Sequence, residues 1–178
     1  MTLKSHVIAA VVGGAVAYPF IGFGYSLLFA ASSILIDADH YLDFLWRNDF
    51  TDWSPKRMFR YYDLMTKKEG DYLGKTLPFA LLHTVEMFLV VYALALYVNY
   101  PFFMVIIAGM AYHIIFDIVW LTSREIPFIR PYSITEYFIR KKIMKKDGID
   151  PEAFPQHLLK LTSENAREND GEKQALRA

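Results

Sequence analysis

The sequence predicts an all-α fold: a polytopic membrane helical bundle of about four spans, with further helices at the cytoplasmic surface. Three observations support this prediction. Apolar runs are long enough to cross a bilayer, which takes ~20 residues. Lys and Arg are concentrated between and after these runs. The few ionisable residues inside the runs gather near one predicted depth, as expected for a polar site inside a bundle.

The apolar runs give the predicted spans in chain order. Residues 7–36 contain no charged side chain. Residues 77–100 contain one His and one Glu, and residues 101–121 contain one His and one Asp. The second and third runs each have the length of a single membrane-spanning helix.

The first run is too long for one ordinary span. It carries Gly13, Gly14, Pro19, Gly22 and Gly24, and its section AYPFIGFGYS has the composition typical of a turn. We therefore expect a hairpin with helical arms at about 4–18 and 23–45. A single kinked or re-entrant element is the alternative. A signal peptide is not expected, because its apolar core has only ~7–15 residues.

The distribution of positive charge predicts the orientation. Lys4 precedes the first run, seven Lys and Arg lie in residues 37–76, and eleven follow Leu121. The turns near Pro19 and Asn99 carry none. Cytoplasmic segments of membrane proteins are enriched in Lys and Arg. We therefore expect a multi-pass protein of the inner (cytoplasmic) membrane with both termini in the cytoplasm.

Composition excludes several classes of function. The formal net charge is zero, so no nucleic-acid partner is expected. Membrane lipids are the expected surroundings because of the apolar runs. The chain has no cysteine, which excludes disulfides and thiolate metal ligands. Any metal must be bound by imidazole, carboxylate or backbone oxygen.

The ionisable residues in or beside the predicted spans lie toward the cytoplasmic ends, and eight of them are candidate site residues: His6, Asp37, Asp39, His40, His83, Glu86, His113 and Asp117. Residues three or four apart share a helix face. Three pairs have this spacing: Asp37 with His40, His83 with Glu86, and His113 with Asp117. The sequence thus predicts one polar cluster built from several helices.

Imidazole and carboxylate without thiolate suit Zn²⁺ first, with Mn²⁺ or Fe²⁺ as alternatives. The predicted metal ligands are His6, Asp37, Asp39, His40, His83, His113 and Asp117. Seven ligands exceed the needs of one ion, so either two ions bind or some residues orient the others. Two alternatives involve no metal. The polar residues form interhelical hydrogen bonds, or they are ordinary polar residues where a helix leaves the membrane.

Four motifs, in this order, resemble those of the membrane-bound, metal-dependent hydrolases described as LexA-binding and inner-membrane-associated. They are SHVIAA with His6, LIDADH with Asp37 to His40, LLHTVE with His83, and GMAYHIIFD with His113 and Asp117. The segment IPFIRPYS follows the last motif, as in that family. The resemblance covers about residues 5–132 and implies a metal site and hydrolase activity.

Two positions depart from the family pattern. Ile36 stands where the family has proline, and LPFAL replaces the HRG part of the third motif. Glu86 is a candidate replacement for a ligand lost there.

A metal site with an adjacent carboxylate suits hydrolysis, with Asp39 or Glu86 as proton acceptor. The predicted depth favours a small-molecule or lipid-like substrate, an amphipathic (phospho)ester or amide. Arg124 and Arg130 are candidates to hold a phosphate. The alternatives are a non-enzymatic metal-binding membrane protein and an ion or proton transporter. A transport pathway would place ionisable groups at several depths.

The predicted domains are a membrane-embedded hydrolase domain at residues 1–132 and a cytoplasmic helical tail at 133–178. Within the first, Ser54 and Pro55 predict an interfacial helix over about 55–68. It is either a membrane anchor or a lid over the site.

Two helices are predicted in the tail. The capping box at residues 133–136 opens a helix that ends near Lys146. Its basic residues face either anionic lipid headgroups or solvent. Asp150 with Pro151 starts another helix, ending near Glu168.

Overall fold

The computed structural model describes residues 3–67 and 75–163, and all regular secondary structure in them is helical, which confirms the all-α class. The elements are α1 (Leu3–Leu35), α2 (Ala38–Arg47), α3 (Pro55–Lys67), a 3₁₀ turn (Leu81–His83), α4 (Val85–Tyr97), α5 (Tyr100–Ser123), α6 (Ile134–Lys146) and α7 at 153–163.

The chain forms two compact units. The first comprises Met1–Asp39 and Phe79–Tyr137, and the second comprises His40–Pro78 and Phe138–Ala178. The chain passes from one unit to the other within α2 and again within α6. The predicted domain boundary between residues 132 and 133 stays a prediction.

Helix α1 folds back on itself at Gly22, as the hairpin prediction requires. Gly22 has φ 73° and ψ 170°, a conformation that side chains other than hydrogen strongly disfavour. The two arms, 3–21 and 23–35, pack closely. A Cβ added at Gly14 would lie 3.1 Å from the carbonyl oxygen of Ser26 and 3.2 Å from Ala30 Cβ. The hairpin therefore brings the two ends of α1 together.

The second arm ends earlier than expected. We expected a helix over about 23–45, but a turn at Ile36 and Asp37 separates α1 from α2. The amide of Ile36 still bonds the Ser32 carbonyl four residues back, whereas Asp37 bonds Ile34, only three residues back. The helix thus tightens and stops. Asp37 and His40 consequently do not share one helix face.

The third predicted span also begins later than expected. His83 ends the 3₁₀ turn, and Thr84 is extended, with φ −88° and ψ 149°. Helix α4 begins only at Val85. His83 therefore lies outside the helix that carries Glu86, and the prediction that these two residues share a helix face is wrong.

Helix α5 packs along α1 and α4. Its first turn is capped by Asn99, whose side chain accepts a hydrogen bond of 3.1 Å from the amide of Phe102. Tyr112 Oη donates to the Ala9 carbonyl at 3.0 Å, and Gly109 packs against the second arm of α1. These contacts set the position of the last turns of α5 against both ends of the hairpin.

Two segments in the described residues are long and apolar enough to cross a membrane: Lys4–Arg47, which contains α1 and α2, and Tyr100–Ser123, which is α5. Only 17% and 22% of the residues in their most apolar stretches are buried, whereas most residues of a central helix in a soluble protein are buried. Helix α4 is equally apolar in character but has only 13 residues.

The second unit has its own apolar core, formed by Phe44, Leu45, Tyr61, Phe154 and Leu158. Helix α3 begins at Pro55, as predicted, and Ser54 Oγ accepts from the amide of Arg57 at 3.4 Å. Helix α6 ends at Lys146, also as predicted. The predicted ends of α3 at residue 68 and of α7 at residue 168 lie outside the described residues.

An ion-pair cluster borders this core. Arg47 pairs with Asp43 at 2.8 Å and with Glu152, which also accepts from Lys141 at 2.9 Å. Burial by itself would raise the pKa of the Glu152 carboxyl, but the charges of Arg47 and Lys141 hold that pKa below its usual value.

Candidate metal centre

Histidines and aspartates from separate parts of the first unit meet at one end of it. His6 comes from the start of α1, Asp37 from the turn after α1, and His83 from the 3₁₀ turn. His113 and Asp117 come from the second half of α5, four residues apart on one face, as predicted. Groups drawn from these residues lie close enough together to hold a metal ion.

Four donor atoms form the centre of this cluster: His83 Nε2, His113 Nε2, Asp37 Oδ1 and Asp117 Oδ2. The two imidazole nitrogens lie 3.4 Å apart. Asp37 Oδ1 is 3.3 Å from His113 and 3.6 Å from His83, and Asp117 Oδ2 is 3.4 Å and 3.8 Å from the same nitrogens. Donor atoms ~2.1 Å from a tetrahedral metal lie ~3.4 Å from one another. The spacing fits one divalent ion.

The outer nitrogens of both imidazoles have partners that only accept hydrogen bonds. His83 Nδ1 lies 3.0 Å from Asp39 Oδ2, which also accepts from the amide of Leu82 at 2.8 Å. His113 Nδ1 lies 2.7 Å from the Ser33 carbonyl oxygen. A neutral imidazole has one N–H, so each proton belongs on Nδ1 and each Nε2 presents a lone pair. Such carboxylate and carbonyl partners are the usual support of metal-bound histidine.

The consequence is that lone pairs converge at the centre. When both imidazoles are neutral, each unprotonated Nε2 lies 3.3 to 3.8 Å from the two carboxylate oxygens, with no proton between nitrogen and oxygen. This arrangement is repulsive unless a cation lies among them or the imidazoles become protonated. Metal and proton are therefore the two ways to stabilise the cluster.

The negative charge of the buried carboxylates must be balanced by positive charge. Asp37, Asp39 and Asp117 carry three negative charges, and Arg130 supplies one positive charge through its Nη2, 2.7 Å from Asp117 Oδ2. Asp39 is 3% exposed and Asp117 is 6% exposed. Uncompensated buried charge is costly. One divalent cation would bring the charges of these groups to zero.

His6 lies beside the four donor atoms. Its ring stacks on that of His113 at 4.5 Å. Its nitrogens face the remaining carboxylate oxygens: Nδ1 is 4.0 Å from Asp37 Oδ2, and Nε2 is 3.6 Å from Asp117 Oδ1. His6 is thus within reach of both carboxylates, and with Asp37 and His113 it also forms a group that could hold a metal ion.

Glu86, one of the predicted site residues, has other surroundings. Both oxygens of Glu86 accept from the amide of Ile134 at 3.0 Å, and Oε1 also accepts from Ser133 Oγ at 2.7 Å. Glu86 therefore caps the start of α6, which argues against its expected role as proton acceptor. His40 belongs to the second unit, where its carbonyl accepts from Tyr62 Oη at 2.8 Å and its ring lies 5.0 Å from that of Tyr62.

Three features of the centre were not predicted from the sequence. Asp39 is the partner of His83 Nδ1, and the Ser33 carbonyl is the partner of His113 Nδ1. Arg130 donates a hydrogen bond to Asp117. No sequence pattern identifies Ser33, because any residue supplies a carbonyl. Asp39 and Arg130 were singled out as ionisable, but their partners depend on how the helices pack.

Comparisons with protein-family models, with curated proteins and with solved structures give no match to this chain. The buried His and Asp groups of the first unit can hold a metal ion on the basis of their own geometry.

Proposed function

We propose that this chain is a membrane-bound, metal-dependent hydrolase whose centre faces the cytoplasm. One observation carries the proposal: two imidazoles oriented by Asp39 and Ser33 direct unprotonated nitrogens toward two carboxylate oxygens at 3.3 to 3.8 Å. The resemblance of its four motifs to the LexA-binding, inner-membrane-associated hydrolases points to the same chemistry.

The residues suited to hold the ion are His83, His113, Asp37 and Asp117. Two imidazoles with two carboxylates suit Zn²⁺, and also Mn²⁺ or Fe²⁺. A divalent ion held there supplies Lewis-acid activation of water and of the substrate's oxygen.

The surrounding residues have distinct tasks. Asp39 and the Ser33 carbonyl keep the two imidazoles in one tautomer and one orientation. Arg130 holds Asp117 in place through the 2.7 Å bond. His6 faces the outer oxygen of each metal-side carboxylate, and we assign it the proton-accepting role in place of Glu86.

The proposed topology has four spans: the two arms of α1, then α4 and α5, with both termini cytoplasmic. The exposed apolar surfaces of these helices and the Lys and Arg distribution support it. The cluster lies where α1 begins and where α5 approaches its end, so all its groups belong to one side of the bilayer. A site confined to one side fits an enzyme better than a transport pathway.

The depth of the site suits a lipid-like substrate. The second arm of α1 and α4 each extend ~20 Å at ~1.5 Å per residue, less than the ~30 Å hydrocarbon core. With the outer ends of these two helices at the outer boundary of the hydrocarbon core, the site lies ~10 Å below the inner boundary of that core. Non-helical backbone is tolerated at such depth only when protein buries it. Three residues of the turns there meet this condition, because Ile36, His83 and Thr84 are all at most 2% exposed. An amphipathic (phospho)ester or amide reaches this level.

Metal analysis of the detergent-purified protein tests the centre. We expect one divalent ion per chain in the wild type and its loss in His113→Ala and Asp37→Ala, because each removes a central donor. His157→Ala is the matched control, since this histidine lies in the second unit. Wild-type protein that stays folded and metal-free in the presence of chelator would reject the centre.

Turnover tests the reaction. Metal-loaded protein is screened against phosphoester, carboxylic ester and amide substrates, and we expect metal-dependent hydrolysis that His6→Ala reduces without removing the ion. Metal or proton flux in liposomes without any turnover would instead establish a transporter.

A further inference from the structure

Arg130 has more hydrogen-bonding capacity than the protein uses. It is only 8% exposed, and its Nη2 donates to Asp117 Oδ2 at 2.7 Å. Its Nε is buried and has no hydrogen-bond partner among the described residues. Nε and Nη2 lie on the same edge of the guanidinium group, the edge that binds an oxyanion through two parallel bonds. Only half of this edge is engaged.

The backbone around Arg130 is fixed on the start of α4. The carbonyl of Tyr132 accepts from the amide of Val85 at 2.9 Å, and Tyr132 Oη donates to the Pro127 carbonyl at 2.9 Å. Pro131 is fully buried. The guanidinium group is therefore held in one place, and its unpaired Nε–H belongs to a rigid segment. A buried donor left unpaired is unfavourable.

The position of this N–H restricts its ligand. It lies beside a carboxylate that we assign to the metal, so an acceptor that bonds it must also lie next to the centre. A phosphoryl group has several acceptor oxygens on one atom, and it can place one at the centre and another against Nε. The guanidinium edge is well matched to phosphate geometry. A carboxylic ester or amide offers a single strong acceptor oxygen.

We propose that Arg130 binds the phosphoryl group of the substrate through Nε, and that the substrate class is therefore the phosphoesters. This inference rests on the proposed metal-dependent function, because the phosphoryl group must also meet the ion. Both phospholipid headgroups and soluble phosphate esters carry this group.

A competing role for Arg130 is to neutralise Asp117 alone. A lysine at position 130 would preserve that charge but has no counterpart of the Nε–Nη2 edge. The substitution Arg130→Lys therefore separates the two roles. Arg124 was the other candidate to hold a phosphate, but it is exposed at the end of α5 and stacks over Trp120 at 4.7 Å, so Arg124→Lys is the matched control.

The experiment measures phosphate binding by calorimetry on zinc-loaded protein in detergent, with metal content determined for every variant. The probes are inorganic phosphate and a short-chain phosphatidic acid. We expect Arg130→Lys to keep its zinc and to lose ~10- to 100-fold of phosphate affinity, as for a charge-assisted hydrogen bond. Arg124→Lys should bind as the wild type does.

Each outcome has a distinct meaning. Equal phosphate affinity in wild type and Arg130→Lys, at equal zinc content, overturns the phosphate-binding role. Zinc-loaded wild type that binds neither probe overturns the substrate class and leaves the metal centre standing. Wild type without zinc overturns the proposed function and this inference together. Tighter binding of the lipid than of phosphate supports a headgroup substrate, and equal binding supports a soluble ester.

Discussion

At the residue scale, the hydrogen-bond partner of Nδ1 in His83 and His113 determines whether Nε2 is free to bind a cation. Because Asp39 and the Ser33 carbonyl only accept hydrogen bonds, they hold the Nδ1 protons of His83 and His113 and leave both Nε2 atoms free for a cation. Asp39 would thus act on a metal held at the centre through His83. This differs from both roles expected of it, ligand and proton acceptor.

The substitution Asp39→Asn tests this assignment. The amide keeps the shape of the side chain but removes the charge that strengthens the His83 bond. We expect metal affinity to fall ~10- to 100-fold, as for other outer partners of metal-bound histidine. Competition with a chelator measures the affinity, and Asp147→Asn, an exposed aspartate, is the control. Unchanged affinity together with lost turnover would instead identify Asp39 as the proton acceptor.

At the element scale, close packing of the α1 hairpin against α5 positions the donor atoms. Gly109 is the tightest point among the described glycines, where an added Cβ would overlap Ser32 Oγ and the Phe29 carbonyl. Ser32 precedes the residue that supports His113. Any displacement of α5 at Gly109 is therefore transmitted to the imidazole one turn later.

Gly109→Ala should lower the free energy of unfolding by ~1–3 kcal/mol, because the two helices must move apart. Gly24→Ala is the matched control, since a Cβ there meets nothing within 4 Å and alanine favours the helix by up to ~1 kcal/mol. Unfolding titrations in mixed micelles measure both. Equal stability of the two variants would contradict the packing argument, and Gly109→Ala should also weaken metal binding.

At the scale of the whole molecule, the proposed membrane topology gives the exposed apolar helices and the candidate metal centre a defined orientation. The cysteine-free chain makes this measurable with single cysteines. Val98, 68% exposed between α4 and α5, belongs to the outer side in the proposed topology, and Arg124 at the other end of α5 belongs to the cytoplasmic side.

A membrane-impermeant maleimide should label Val98→Cys in intact cells and Arg124→Cys only after permeabilisation. The wild type, without cysteine, is the blank. Labelling of both positions from the same side would show that α5 does not cross the membrane, and the reversed pattern would invert the topology and place the centre outside.

Local patterns in the sequence were sufficient for the helical class, the hairpin turn at Gly22, the start of α3 and the end of α6. They also placed His113 and Asp117 on one face, because a spacing of four residues has that result in any α-helix. The prediction that histidines and aspartates of several helices converge rested on the counts of Lys and Arg, which suggest a common depth.

Only the tertiary structure decided which of these side chains meet and in what role. His83 lies in a 3₁₀ turn, and α4 begins two residues later. Glu86, in the first turn of α4, caps α6. Asp39 bonds the outer nitrogen of His83, and Arg130, in a loop, offsets one of the three negative charges by bonding Asp117. Hydropathy and spacing describe each helix separately. The rotation of one helix against another depends on close contacts such as that at Gly109, which involve residues distant in sequence.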